Sequence, residues 1–182
     1  MRISENQARE NRERVVAEAS RLFREKGFDG VSVEKLMKAA GFTHGGFYNH
    51  FESKEALALE AVEHAFRQMD EFRGRAETIK DFIDVYVSKK ARSSPGSSCP
   101  AAALAGEVAR QSDDIREVFA DGVERMISSV VRLLPDGPDS RLEAIDVVCR
   151  MVGALALAQA MPRTSALGRE VISAAKRDRG RT

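Results

Sequence analysis

Apolar residues recur at three- and four-residue intervals along nearly the whole chain. That spacing belongs to helices with one buried face. No stretch alternates apolar and polar residues for long enough to build a sheet, so an all-α fold of about nine helices is expected. Residues 9–26 place Val15, Val16, Ala19, Leu22 and Phe23 on one face, and Gly27 stands where that helix should stop. Ser32 can cap a short second helix through Leu36, Met37, Ala39 and Ala40 to Gly41. Thr43 opens a third, from His44 to about Phe51, and Ser53 a fourth that turns Leu57, Val62 and Phe66 inward. Residues 77–90 predict one amphipathic helix on Ile79, Phe82, Ile83, Val85 and Tyr86. The turn-rich run Arg92-Ser-Ser-Pro-Gly-Ser-Ser follows. Pro100 fits the first position of a helix to about Arg110, with Cys99 before it. Residues 113–134 bury Ile115, Val118, Phe119, Val123, Met126, Ile127, Val130, Val131 and Leu134. Further helices are expected over about 139–161, ending before Pro162, and about 165–177, ahead of a basic tail.

Charge narrows the function. The 182 residues carry 29 Lys+Arg against 28 Asp+Glu, a net charge of +1. A uniformly basic coat is excluded, so any nucleic-acid binding must come from a local patch. No apolar run approaches the roughly 18 residues of a membrane span. The polar N-terminal stretch MRISENQARENRER does not read as a secretory signal, and a cytoplasmic location is expected. Two cysteines, Cys99 and Cys149, are too few for a disulfide framework or a structural zinc site. His44, His50 and His64 are scattered, so no metal is expected. The chain holds no GxSxG, HExxH or Walker sequence and no cofactor motif, which argues against an enzyme.

The informative segment is residues 32–51. Two short helices joined by Ala40-Gly41-Phe42-Thr43 have the layout of a helix-turn-helix. The second reads His44-Gly-Gly-Phe-Tyr-Asn-His-Phe. Two glycines in a helix cost about 1 kcal/mol each relative to alanine, so propensity does not select them. A helix that must lie close to another backbone, as in a DNA major groove, does.

Residues about 9–60 resemble the DNA-binding domain of TetR/AcrR-family transcriptional repressors. The matching positions are Ala17 through Phe23, Gly27-Phe28, Val31-Ser-Val, Ala39-Ala-Gly-Phe and Thr43-x-Gly-x-Phe-Tyr-x-His-Phe-x-Ser-Lys-x-x-Leu57. The resemblance implies a head over residues 1–54, extending to about 70 with a connecting helix, and a ligand-binding and dimerisation domain over 55–182. It also assigns roles. Ser32 and Val33 would meet the phosphate backbone, and Thr43 and His44 phosphates or base edges. Gly45 and Gly46 would let the helix sink into the groove. Tyr48, His50 and Lys54 would bind phosphates, and Asn49 is suited to reading adenine. Phe47 and Phe51 would pack inward. Arg2, Arg9, Arg12 and Arg14 are either a phosphate-reaching arm or ordinary solvated charge.

By the same resemblance the last two long helices would form a four-helix interface in a homodimer. Val147, Val148, Met151, Val152, Leu155 and Leu157 are its candidates, with an internal core helix as the alternative. Two heads about 34 Å apart would read a palindromic operator in double-stranded DNA. A small-molecule effector would change their spacing through the 67–75 connection and release the DNA. Phe66, Phe82, Tyr86, Leu104, Val108, Phe119, Val123 and Met126 either line its pocket or are simply core. Cys99, at a helix N-terminus with Lys89, Lys90 and Arg92 near in sequence, is either a sensor of electrophiles or a small buried residue at the pocket. Cys149 is expected to be inert packing. A non-specific architectural DNA-binding protein and a thiol enzyme using Cys99 are the competing classes. The charge balance opposes the first, and the lack of a partner base the second.

Overall fold

The computed structural model describes residues 5–177. Among them are nine α-helices, two short 3-10 helices and no strand. The α-helices are α1 (Glu5–Lys26), α2 (Val33–Ala39), α3 (Lys54–Arg73), α4 (Ile79–Tyr86), α5 (Lys89–Ser93), α6 (Pro100–Val108), α7 (Asp113–Val131), α8 (Ser140–Ala160) and α9 (Ala166–Lys176). The 3-10 helices are His44–Asn49 and Pro95–Ser97. Arg2 and the tail beyond Arg177 lie outside the described residues.

Side-chain caps set several of the boundaries. Ser32 Oγ accepts the Lys35 amide at 3.3 Å and Ser53 Oγ the Ala56 amide at 3.0 Å, so α2 and α3 begin where their serines predict. The chain leaves α1 through Gly27, φ 75°, and α2 through Gly41, φ 83°, a left-handed backbone that a Cβ disfavours.

Three expectations are corrected. The third helix is a 3-10 helix, not an α-helix. Thr43 makes no side-chain cap there, and the bonds span three residues, Gly46 N–H to the Thr43 carbonyl at 3.1 Å and His50 N–H to Phe47 at 2.9 Å. Two adjacent glycines give an α-helix little to hold it. The helix over 77–90 is broken in two. Val87 ends α4, and Ser88 Oγ takes the Ala91 amide at 3.2 Å to start α5 anew. Val85, counted as inward, is 56% exposed. Third, α8 turns much of the proposed dimer face inward. Val147, Val148, Met151 and Leu155 are buried inside the protomer, the last two completely, and Val152 is half-buried. Of the six candidates only Leu157 is well exposed. From Val147 on the helix is apolar nearly all round, and α7 and α9 both pack on it. The stripe they leave open carries Leu142, Cys149, Gly153 and Leu157.

One continuous core runs from Val15 in α1 to Ala175 in α9. α3 packs against both α1 and α7, α7 against α8, and α8 against α9. Arg125 of α7 clamps α3 through Glu63 at 3.2 Å and Asp70 at 3.1 Å. The end of α1 is held by segments distant in sequence. Arg24, buried, donates to the Ser98 carbonyl at 2.8 Å and to Gln68 at 3.2 Å. Glu107 of α6 accepts the Phe28 amide at 2.8 Å, and its carboxylate fills the space over Gly27 where a Cβ would otherwise stand.

Candidate nucleic-acid interface

Ser32, Val33, Thr43, His44, Gly45, Gly46, Tyr48, Asn49, His50 and Lys54 all keep solvent access, whereas Phe47 and Phe51, which stand between them in the chain, do not. Phe47 is fully buried and Phe51 nearly so, their rings 5.6 Å apart. These two hold the 3-10 helix down on the core. Tyr48 stands edge-on to Phe47 with centroids 5.2 Å apart and is 69% exposed. Such exposure is costly for an aromatic side chain unless a partner covers it, and its hydroxyl is then free to meet one. No atom lies within 4 Å of a Cβ built on Gly45, so this glycine is not required by packing inside the molecule.

Two N-terminal arginines brace this surface. Arg12 pairs with Glu60 of α3, lies 4.6 Å over the Phe51 ring and donates to the His50 carbonyl at 3.4 Å. Arg14 donates to the Ala40 carbonyl at 3.0 Å and covers Phe42 at 5.1 Å, which fixes the turn between α2 and the 3-10 helix. Both are therefore engaged within the fold, neither arm nor free charge. Arg9 is exposed beside Glu13 at 3.9 Å. No local pattern announces the Arg12–Glu60 pair, because its members are 48 residues apart. Lys35 and Lys38, exposed on α2, also add positive charge beside Ser32. Their signal in the sequence was available: both lie on the polar side of the first helix of the helix-turn-helix pattern.

The nine candidate pocket residues gather between α3, α4, α6 and α7. Phe66 meets Phe119 edge-on at 5.5 Å, and the Cys99 sulfur lies 4.0 Å from that of Met126. Phe66, Phe82, Tyr86, Cys99, Leu104, Val108 and Met126 are buried, and Phe119 and Val123 half-buried. Phe82 and Tyr86 line a cleft of about 100 Å³. A wider groove of about 930 Å³ is walled by other residues, Ile79, Ile83, Leu133, Leu134 and Val147 among them. Cys99 occupies the N-cap position of α6, and its thiol makes no capping hydrogen bond to the helix. Burial lowers the Arg24 guanidinium to about 10, while the nearby Cys99 and Glu25 push it back up. Cys149 is exposed, not packed away. Among the described residues no three His, Cys, Asp or Glu side chains converge on a metal position. No helix among them is long and apolar enough to cross a membrane.

The sequence pattern of the bacterial regulatory proteins, tetR family, matches residues 15–61. The uncharacterized HTH-type transcriptional regulator YxaF of Bacillus subtilis (strain 168) is 33% identical over 118 residues, 60% of this chain and 62% of that protein. The HTH-type transcriptional regulator LmrA of the same organism is 30% identical over 128 residues, 65% of this chain and 68% of its own length. The matched stretches span 19% and 62% of the first two curated relatives' lengths. A TetR transcriptional regulator from Chloroflexus aurantiacus J-10-FL has the same fold, with a TM-score of 0.77, 27% identity and 94% of each chain covered.

Proposed function

The chain belongs to the tetR family of bacterial regulatory proteins, and on that premise we propose that it is a homodimeric repressor of a palindromic operator, released by a small-molecule effector. The exposed row of Thr43, His44, Gly45, Tyr48 and Asn49 over a buried Phe47–Phe51 anchor carries this reading. A rigid base with small and hydrogen-bonding residues on its outer side suits entry into a major groove. Ser32, Val33, His50 and Lys54 flank it as phosphate contacts, and Gly46 keeps the approach low. One such segment reads few bases, so two heads about one helical turn apart are needed for useful specificity. The open stripe of α8, with Leu157 and Leu142, together with exposed Leu167 of α9, is the face we assign to the second copy.

Effector binding in the residues 55–182 would change the distance between heads 1–54, and simultaneous contact with two grooves would fail. Cys99 is the second input. Conjugate addition of its thiolate to an electron-poor C=C, in which the C–S bond forms as the π bond breaks, the thiol proton passes to solvent and the α-carbon takes a proton back, would need space that Met126 now fills, so α6 and α7 would have to part. Replacement Cys99→Ser should abolish release by a thiol-alkylating electrophile, and retained release would remove the cysteine from the mechanism.

The repressor reading is tested by selecting fragments of the source genome with the purified protein at near-physiological salt. Lower salt would let phosphate attraction imitate specificity. One recovered palindrome with half-sites about 34 Å apart is expected. Recovery of no preferred sequence, with reductant and with cell extract alike, would overturn it.

A further inference from the structure

Two buried polar side chains, Arg73 at the end of α3 and Tyr86 at the end of α4, have donors without acceptors. Arg73 is 7% exposed and Tyr86 6%. The Arg73 Nε and Nη1 and the Tyr86 hydroxyl have no hydrogen-bond partner within the protein. Buried groups of this kind are normally satisfied, because desolvation is otherwise uncompensated. Both residues line the same cleft of about 100 Å³, whose remaining inner wall is Met69, Ala76 and Phe82. We propose that this cleft binds a small carboxylate with an apolar body, the carboxylate oxygens accepting from Arg73 and Tyr86.

The donor set selects the chemistry. A guanidinium offers donors only. Burial first, then the neighbouring Cys99, holds the Tyr86 phenol well above its ordinary value, against a smaller opposing pull from Arg73. The hydroxyl therefore keeps its proton to give. Arg73 Nη2 is used, on the Phe66 carbonyl at 3.4 Å and on Asp70. Asp70 is itself divided with Arg125, so it does not saturate Arg73. At the rim Arg75 and Asp81 are both exposed, and the Asp81 carboxylate is occupied by the Thr78 hydroxyl at 2.6 Å. The ligand's acid end thus goes inward and its apolar end meets Val85 at the mouth. At about 100 Å³ the cleft is smaller than the roughly 150 Å³ cavity that encloses benzene, so it takes the carboxylate and part of the apolar body and leaves the rest of a single ring or short branched chain at the open mouth.

This inference rests on the regulator reading, to which it adds the chemical class of the effector. Tyr86 of this cleft neighbours Cys99, and the Ser98 carbonyl next in the chain is gripped by Arg24 of α1. Benzoate is the probe, titrated calorimetrically into the full-length protein. One benzoate per chain should bind and raise the melting temperature, with benzamide and benzylamine at least about tenfold weaker. Tyr86→Phe removes a hydroxyl that has the Cys99 thiol as its neighbour and no full hydrogen bond in the protein. It should keep the ligand-free melting temperature and weaken benzoate about tenfold, and Arg73→Met should weaken it at least as much. Equal affinity for benzoate and benzylamine, undiminished affinity in Tyr86→Phe, or no heat from benzoate at all would overturn the proposal. Operator binding measured without benzoate separates the two claims. Loss of benzoate binding with specific DNA binding intact refutes the carboxylate site alone. Benzoate binding without any sequence preference refutes the regulator reading alone.

Discussion

The 3-10 helix His44–Asn49 and helix α8 solve opposite problems. The first is six residues long, with two glycines, one buried anchor and every other side chain at least partly outside. The second is 21 residues long and, from Val147 on, apolar on almost every side. In the short element, sparse burial leaves a surface whose residues are there for something beyond the fold. In the long one, burial is so plentiful that the surface is whatever α7 and α9 fail to cover. Exposure in the first is informative residue by residue, whereas in α8 it acquires meaning only once the neighbours are placed.

The sharpest way to break this comparison is at the anchor. Phe47→Ala should cost about 3–5 kcal/mol in denaturant unfolding, a large share of a small domain's stability, and should abolish operator binding with it. Retained stability would mean that the 3-10 helix is not held by its aromatic side. Next in size is a pair within α8. Met151→Ala, at a fully buried site, should cost about 2–5 kcal/mol. Leu157→Ser, on the open stripe, should change protomer unfolding by no more than about 0.5 kcal/mol while lowering the dimer fraction in sedimentation. If both substitutions act alike, the inside and outside of α8 are misassigned.

Why one region was readable and the other was not follows from these residues. Gly45, Gly46 and the spaced Phe47, Tyr48, His50 and Phe51 depart from ordinary helix composition, and a departure points to a demand outside propensity. The all-α class and the serine-capped starts were equally open to local rules. In α8, Val147 through Met161 show no apolar face distinct from a polar one, so no period could separate Leu155 from Leu157. The 3-10 geometry, the break before Ser88 and the Arg12–Glu60 pair depend on tertiary neighbours or on competition between two helix starts. The unsatisfied Arg73 and Tyr86 are likewise invisible in a linear pattern, because a lone arginine near a helix end normally reaches water.

Two smaller effects sharpen the contrast. Gly45→Ala has open space for its Cβ and should stabilise the free protein by up to about 1 kcal/mol, yet weaken operator affinity. An alanine that improves both would remove the argument for close approach. The smallest effect concerns His64 of α3, whose ionisation is lowered by burial, and further by Arg67 and Arg24. Above its ordinary value of 6.5 the imidazole is neutral in both folded and unfolded chains. As pH falls through that value the unfolded chain takes up the proton first, so stability declines on the acid side. His64→Gln should flatten the decline in unfolding curves between pH 7 and about 5.

The Glu107 carboxylate over the end of α1 has a practical consequence for anyone exchanging parts between members of this family. A cut after residue 54 looks like a seam in the linear order, but one acceptor for the head is supplied from α6. A graft of residues 1–54 onto a foreign body without an acid at that place would strand the Phe28 amide and open a gap above Gly27. Chimaeras that keep Glu107 with its own head should assemble more readily than those joined at the same point without it, and the boundary for modular swapping is a set of matched residues, not a single position.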